Sequence, residues 1–88
     1  MINTGKYTLN INDRVKFKTG WLRKEELIYA GMPNEHTVSL TFTWSYAHNS
    51  MAYSIFVPIT QREIRHMDFD ITISRVTPTT IDVEISHR

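Results

Sequence analysis

Apolar and polar side chains alternate strictly over residues 37–46, and a second alternating run follows over residues 51–59. The apolar members are Val38, Leu40, Phe42, Trp44 and Tyr46 in the first run, and Met51, Tyr53, Ile55, Val57 and Ile59 in the second. Successive side chains of a strand point to opposite faces, so this spacing gathers every apolar group onto one side of an extended chain. A helix would scatter them around its circumference. The sequence therefore predicts two strands with a common apolar face.

The residues between these two runs predict a β-hairpin and its register. A two-residue turn at His48 and Asn49 places Phe42 opposite Ile55, with the other apolar pairs following in step. Asn49 suits such a turn because asparagine tolerates the left-handed backbone conformation. A slip of one residue would put each aromatic side chain opposite a hydroxyl side chain, so the alternation restricts the register.

The C-terminal residues repeat the pattern. The alternating apolar residues are Phe69, Ile71 and Ile73 on one predicted strand, and Ile81, Val83 and Ile85 on the next. A loop within Val76–Thr80, around Pro78, gives a pairing such as Ile71 opposite Val83. The other face of this second hairpin is acidic, with Asp68, Asp70, Asp82 and Glu84.

A third hairpin is predicted at the N-terminus. Its alternating apolar residues are Tyr7, Leu9 and Ile11, followed after a turn by Val15 and Phe17. Asn12 and Asp13 supply the turn, because both side chains hydrogen-bond to nearby backbone.

Two linking segments are open to different interpretations. Residues 19–31 fit either a loop and strand centred on Leu27 and Tyr29, or a helix at 20–30 that ends near Gly31. Thr60 and Glu63 have the spacing of a capping box, which favours one or two helical turns between the two later hairpins.

These elements predict a single β domain over residues 1–88. Its fold is expected to be mainly β: a small antiparallel β-sandwich or partly open barrel of six to seven strands, with room for one or two short helices. The alternative is an α+β fold with a helix at 20–30. A chain of 88 residues buries a modest share of its surface, so association with a partner would add to its stability.

Charge is divided unevenly along the chain. Residues 1–24 carry a net charge of +5, and residues 25–88 carry −4. Arg14, Lys16 and Lys18 alternate on one predicted strand, and with Trp21 they form a candidate contact for a nucleic-acid backbone. The competing interpretation is that this basic row lies beside acidic strand faces in the same sheet and pairs with them.

Candidate catalytic and metal sites are weakly supported by the residue patterns. The chain has no cysteine and three glycines, and no motif that exposes a nucleophile on a strained turn, so we expect a non-enzymatic protein without a cofactor. His66, Asp68 and Asp70 alternate, with Glu84 across the predicted hairpin, and carboxylates with an imidazole could hold a divalent cation. A solvated strand face explains the same pattern more simply, so the sequence predicts no metal site there.

An uncharged strand face is the candidate interaction surface. It contains Thr41, Thr43, Ser54 and Phe56, and interface cores are depleted in charge and enriched in aromatic residues. The sequence therefore predicts a protein-interaction module that forms a homodimer or docks on another protein through this face and through sheet edges. Nucleic-acid binding, and cation or small-ligand binding, are the alternatives. Residues 1–12 lack the features of a secretory signal, and no apolar run approaches the length of a membrane span, so a cytoplasmic location without membrane attachment is expected.

Overall fold

The computed structural model describes residues 4–20, 23–47 and 49–87, which form two four-stranded antiparallel sheets. The strands are β1 (Gly5–Asn10), β2 (Arg14–Gly20), β3 (Arg23–Asn34), β4 (Thr37–Tyr46), β5 (Asn49–Pro58), β6 (Glu63–His66), β7 (Phe69–Val76) and β8 (Thr80–His87). The strand order is β2-β3-β4-β5 in the first sheet and β1-β8-β7-β6 in the second. The predicted small antiparallel β-sandwich is confirmed, with eight strands rather than six or seven.

The core lies between the two sheets and consists of the apolar residues that alternate along each strand. Its largest fully buried side chains include Phe17, Tyr29, Phe42 and Phe69. The rings of Phe17 and Phe69, from opposite sheets, meet edge to face with centroids 4.8 Å apart. Burial of such side chains stabilises the fold by about 1.5–3 kcal/mol each.

The β4–β5 hairpin has the predicted faces but a different register. Phe42 lies opposite Tyr53 rather than Ile55, a shift of two residues along the strand. The turn begins one residue earlier than predicted, at Ala47, whose φ is 53°; His48 lies outside the described residues. Because a shift of two preserves the side-chain alternation, Phe42 and Ile55 still share the core face, as predicted.

The β7–β8 hairpin shows the same difference from its predicted pairing. Ile71 lies opposite Ile85, and the register shifts between Ile73 and Arg75. The loop is short because Thr77 closes it: the Thr77 N–H donates to the Thr80 carbonyl at 2.8 Å, and the Thr80 N–H donates to the Thr77 hydroxyl at 2.9 Å.

The predicted N-terminal hairpin is wrong in its pairing. The turn at Asn12 and Asp13 is present, with Asn12 at φ 71° and the Asp13 carboxylate accepting the Asn10 N–H at 2.9 Å. It connects the two sheets instead of two paired strands, since β1 pairs with β8 and β2 pairs with β3. The turn residues predicted the bend correctly, but they do not determine which strands β1 and β2 pair with.

Both helical interpretations are wrong, and the described residues contain no helix. Residues 23–34 form β3, an inner strand that pairs with β2 on one side and β4 on the other. Gly31, considered as a helix end, instead lies at a register irregularity of β3 with φ 95°, a conformation that glycine adopts readily. Glu63 begins β6 opposite Thr72, so the capping-box spacing does not produce a helical turn.

Each sheet has two edge strands, which have a neighbour on one side only. β2 and β5 are the edges of the first sheet, and β1 and β6 are the edges of the second. Pro58 ends β5, an edge strand, as its missing N–H requires. No helix that could cross a membrane is found in the described part of the chain.

Candidate interaction surface

Among the four edge strands of the described structure, β5 is the one without a charged side chain. Its ten residues carry no charged side chain, whereas β1 contains Lys6, β2 contains three cations and β6 contains Glu63 and Arg65. Eight of the ten residues of β5 are exposed. Natural proteins usually protect long edge strands with charge or cover, because an uncovered edge accepts another strand.

The unpaired backbone groups of β5 belong to every second residue. The Ile59 N–H donates to the His36 carbonyl at 2.8 Å, so at this point an odd-numbered residue faces β4. The β4–β5 register runs without a bulge, and antiparallel strands alternate between residues that bond to one neighbour and residues that face away from it. The N–H and carbonyl groups at the free edge are therefore those of Ser50, Ala52, Ser54 and Phe56.

The outer face of β4 and β5 brings the predicted interaction residues together. Thr41 and Ser54 lie opposite each other, and their hydroxyl groups are 2.9 Å apart. Thr43 is the next outward residue of β4, and Phe56, two residues after Ser54, is 65% exposed. β2 and β3 lie in the same sheet as β4 and β5, so they do not cover this outer face.

A second apolar surface lies at the end of the sandwich, on the inner side of the hairpin. We call it the end patch: Trp44, Tyr46, Met51, Tyr53 and Met67. Its exposed fractions reach 67% at Met51 and 61% at Met67, so the second sheet does not cover this end of the hairpin. With Arg23, four of these residues line a groove of about 310 Å³. The sequence pattern placed Trp44, Tyr46, Met51 and Tyr53 on the core side, because alternation shows which face a residue occupies but not where the opposing sheet ends.

Tyr53 links the β5 edge to a buried polar cluster. Its hydroxyl group lies 2.6 Å from Nδ1 of His66, at the end of β6. The His66 ring stacks on Phe42 with centroids 4.0 Å apart. On the far side, His66 Nε2 is 4.0 Å from Oε1 of Glu25, and Lys18 Nζ is 3.7 Å from Oε2 of the same carboxylate.

The protonation states in this cluster follow from burial. Burial lowers the pKa of His66 below its usual 6.5, although the nearby Glu25 carboxylate acts in the opposite direction. Burial, and secondarily Glu25, raises the pKa of Tyr53 above 10.0. At neutral pH both side chains are therefore uncharged. The Glu25 carboxylate 4.0 Å from Nε2 favours the tautomer with its proton on Nε2, and in that tautomer Nδ1 accepts from the Tyr53 hydroxyl.

Glu25 and Glu26 are buried acidic residues, and the sequence pattern did not predict their burial. They are 1% and 2% exposed, respectively. Among the described residues, no donor lies within hydrogen-bond distance of Glu25 Oε1 or Glu26 Oε2, since His66 Nε2 is 4.0 Å from the former. A signal was present in the sequence, because Glu25 alternates with the core residues Leu27 and Tyr29.

These two carboxylates also pair with the basic row. Arg14 lies 3.7 Å from Glu26, and Lys24 lies 3.5 Å from the same side chain. A bulge between Lys16 and Lys18 turns Lys18 toward Glu25, so the row does not present three cations on one face as predicted. Trp21, the predicted aromatic partner of this row, lies outside the described residues. Nucleic-acid contact therefore stays a prediction.

The alternating metal-ligand candidates are not brought together. A turn at Met67 and Asp68 reverses the chain, so His66 points into the sandwich while Asp70 points outward, 3.8 Å from Arg65. Glu84 is exposed on the outer face of the second sheet. Within the described ranges, no three histidine, cysteine or acidic side chains are close enough to hold a metal ion.

Comparisons with protein-family models, curated proteins and solved structures found no match for this chain.

Proposed function

We propose that this chain is a non-enzymatic protein-interaction module that takes an extended polypeptide segment as an added strand along β5. The observation that supports it most strongly is that this ten-residue edge strand carries no charged side chain and has eight exposed residues. In strand addition, backbone hydrogen bonds provide affinity, and the side chains on the two faces provide specificity.

The free edge offers a regular set of backbone partners. Ser50, Ala52, Ser54 and Phe56 each present one donor and one acceptor to an incoming strand. Because β5 contains no charged side chain, addition of a strand does not bury a charged group and remove its hydration. The expected added strand is itself uncharged and rich in β-branched or aromatic residues.

Apolar side chains on both faces of β5 would stabilise the added strand. Phe56 projects from the outer face, while Met51 and Tyr53 project from the inner face into the end patch. Phe56 is the proposed anchor, because exposed aromatic side chains that become buried carry much of the energy of an interface. The alternative of phosphate binding has less support, since buried carboxylates pair with Arg14 and Lys18. The expected cytoplasmic location is part of this proposal.

The test uses a fluorescent ten-residue peptide that reproduces residues 49–58, with an alternating threonine–valine peptide of equal length as a second probe. Binding is measured by polarization at protein concentrations low enough to limit self-association. We expect binding to the wild type and to Ser54→Ala, which keeps the edge N–H. Ser54→Pro removes this donor and should bind about tenfold more weakly, equivalent to about 1.4 kcal/mol.

Backbone amide shifts then locate the contact. Strand addition predicts that the largest changes occur at the amides of residues 50, 52, 54 and 56, with small changes in β7 and β8. Failure of both peptides to bind, or equal binding by Ser54→Pro and Ser54→Ala, would contradict strand addition at this edge.

A further inference from the structure

We infer that the added strand is β5 of a second copy of this chain, paired antiparallel about a two-fold axis that passes through Ser54. This inference rests on the proposed function and names the partner of the same edge. It predicts one continuous eight-stranded sheet formed by the first sheets of two chains.

The absence of charge makes β5 suited to self-pairing. In a two-fold interface the same surface is used by both chains, so a charged strand tends to meet its own charges. β2, the other edge of the first sheet, would bring three cations close to their copies. The edges of the second sheet are shorter, with six residues in β1 and four in β6.

The pattern of side chains and backbone groups limits where the axis can lie. A two-fold axis perpendicular to the sheet keeps the outer faces on one side, so outward residues must meet outward residues. The outward residues of β5 are also those whose backbone groups face the free edge. An axis through Ser54 lets Ser54 of each chain exchange both of its hydrogen bonds with its copy.

Side-chain sizes favour this axis over its neighbours. With Ser54 on the axis, Phe56 of one chain lies opposite Ala52 of the other, which gives the largest outward side chain the smallest opposing one. On the inner face, Tyr53 meets Ile55, an aromatic and β-branched pair of the type that stabilises sheets. Pro58 meets Ser50 at the outermost pair, where its missing N–H removes only a terminal hydrogen bond.

The absence of cysteine allows a direct test by single-cysteine cross-linking. Ser54→Cys should form a disulfide-linked dimer under mild oxidation, because the two copies of residue 54 are about 5.5 Å apart across the axis. Ala52→Cys alone and Phe56→Cys alone should not cross-link, since each lies roughly 13 Å from its own copy. An equal mixture of these two variants should cross-link, because residues 52 and 56 lie opposite each other.

The outcomes test two claims separately: that the partner is a second copy of the chain, and that it binds by strand addition at β5. Cross-linking of Ser54→Cys and of the mixed pair, but not of either single flanking variant, supports the inferred axis. A dimer that cross-links instead through Tyr53→Cys or Ile55→Cys overturns the axis and leaves strand addition intact. A wild-type chain that stays monomeric at millimolar concentration, yet binds the β5 peptide, overturns the self-association and leaves the proposed function standing.

Discussion

His66 is an imidazole held between an aromatic ring and a buried carboxylate, and its burial makes protonation unfavourable. Phe42 stacks on the ring, and Tyr53 donates to Nδ1, so the neutral form is the one that this site accommodates. As the pH falls through the unfolded-state pKa of about 6.5, the unfolded chain takes up a proton before the folded chain does. The stability is therefore full above this pH and declines as the pH falls toward the lowered pKa of the folded state.

The first prediction concerns this pH dependence. Between pH 7.5 and 5.5 the free energy of unfolding of the wild type should fall relative to that of His66→Gln, with a slope of up to about 1.4 kcal/mol per pH unit. Glutamine keeps a neutral polar group whose oxygen can accept from Tyr53, and the other histidines are common to both proteins. Urea unfolding at each pH measures the difference. Parallel stability curves for the two proteins would show that His66 does not titrate differently on folding.

The hydroxyl group of Tyr53 gives a second prediction. Tyr53→Phe keeps the ring and removes the donor to His66 Nδ1, so it should lower the free energy of unfolding by about 0.5–1.5 kcal/mol. Tyr46→Phe is the matched control, because Tyr46 is an exposed aromatic residue on the neighbouring strand, and its effect should stay within about 0.5 kcal/mol. Denaturant unfolding measures both, and equal effects of the two changes would show that the Tyr53–His66 hydrogen bond does not contribute to stability.

At the level of elements, the turn between β4 and β5 carries a local cost. Ala47 has φ 53°, in the left-handed region where an alanine side chain costs roughly 1–2 kcal/mol. Glycine adopts this conformation without that cost, although it also gains freedom in the unfolded chain.

The third prediction follows from this turn. Ala47→Gly should raise the free energy of unfolding by about 0.5–1 kcal/mol. The same substitution at Ala52, which lies in the regular part of β5, should lower it by about 0.5–1 kcal/mol. Thermal and urea unfolding at low protein concentration measure the two effects without a contribution from association. Destabilisation by both substitutions would show that Ala47 is not strained.

The strands were largely predictable from sequence, and their partners were less so. Period-two alternation identifies a strand and its apolar face, and it held for β4, β5, β7 and β8. It does not distinguish registers that differ by two residues. The predicted pairing of Phe42 with Ile55 was wrong for this reason, and Phe42 lies opposite Tyr53. Neighbouring strands in sequence also need not pair, since β1 joins β8 across the length of the chain.

The sequence predicted one part of the candidate site and missed another. Thr41, Ser54 and Phe56 share an outer face because alternation alone puts them there. The end patch was not predicted, because the extent of cover depends on where the second sheet ends. The inward direction of Lys18 was also missed, since it arises from a bulge that the residue pattern does not mark.

In the whole molecule, part of the charge asymmetry of the sequence is offset within the β2–β3 hairpin. Glu25 and Glu26 belong to the acidic part of the chain, and they lie within 4 Å of Lys18 and of Arg14 and Lys24, respectively. β5 is the opposite edge strand of the same sheet and takes no part in these ion pairs. The first sheet thus has one charged edge and one uncharged edge, and association through β5 leaves the charged edge in water.

Sedimentation equilibrium of charge variants at position 54 is the direct test of self-pairing through β5. Two copies of a charged residue on the axis repel each other, so Ser54→Lys and Ser54→Glu should each sediment as a monomer of 10.3 kDa. An equal mixture of the two should approach twice that mass, as should the wild type and the control Ser74→Lys, which changes an exposed serine of β7 in the second sheet. Equal masses for all of these proteins, or a mixture that stays monomeric while the wild type dimerises, would contradict self-pairing at Ser54.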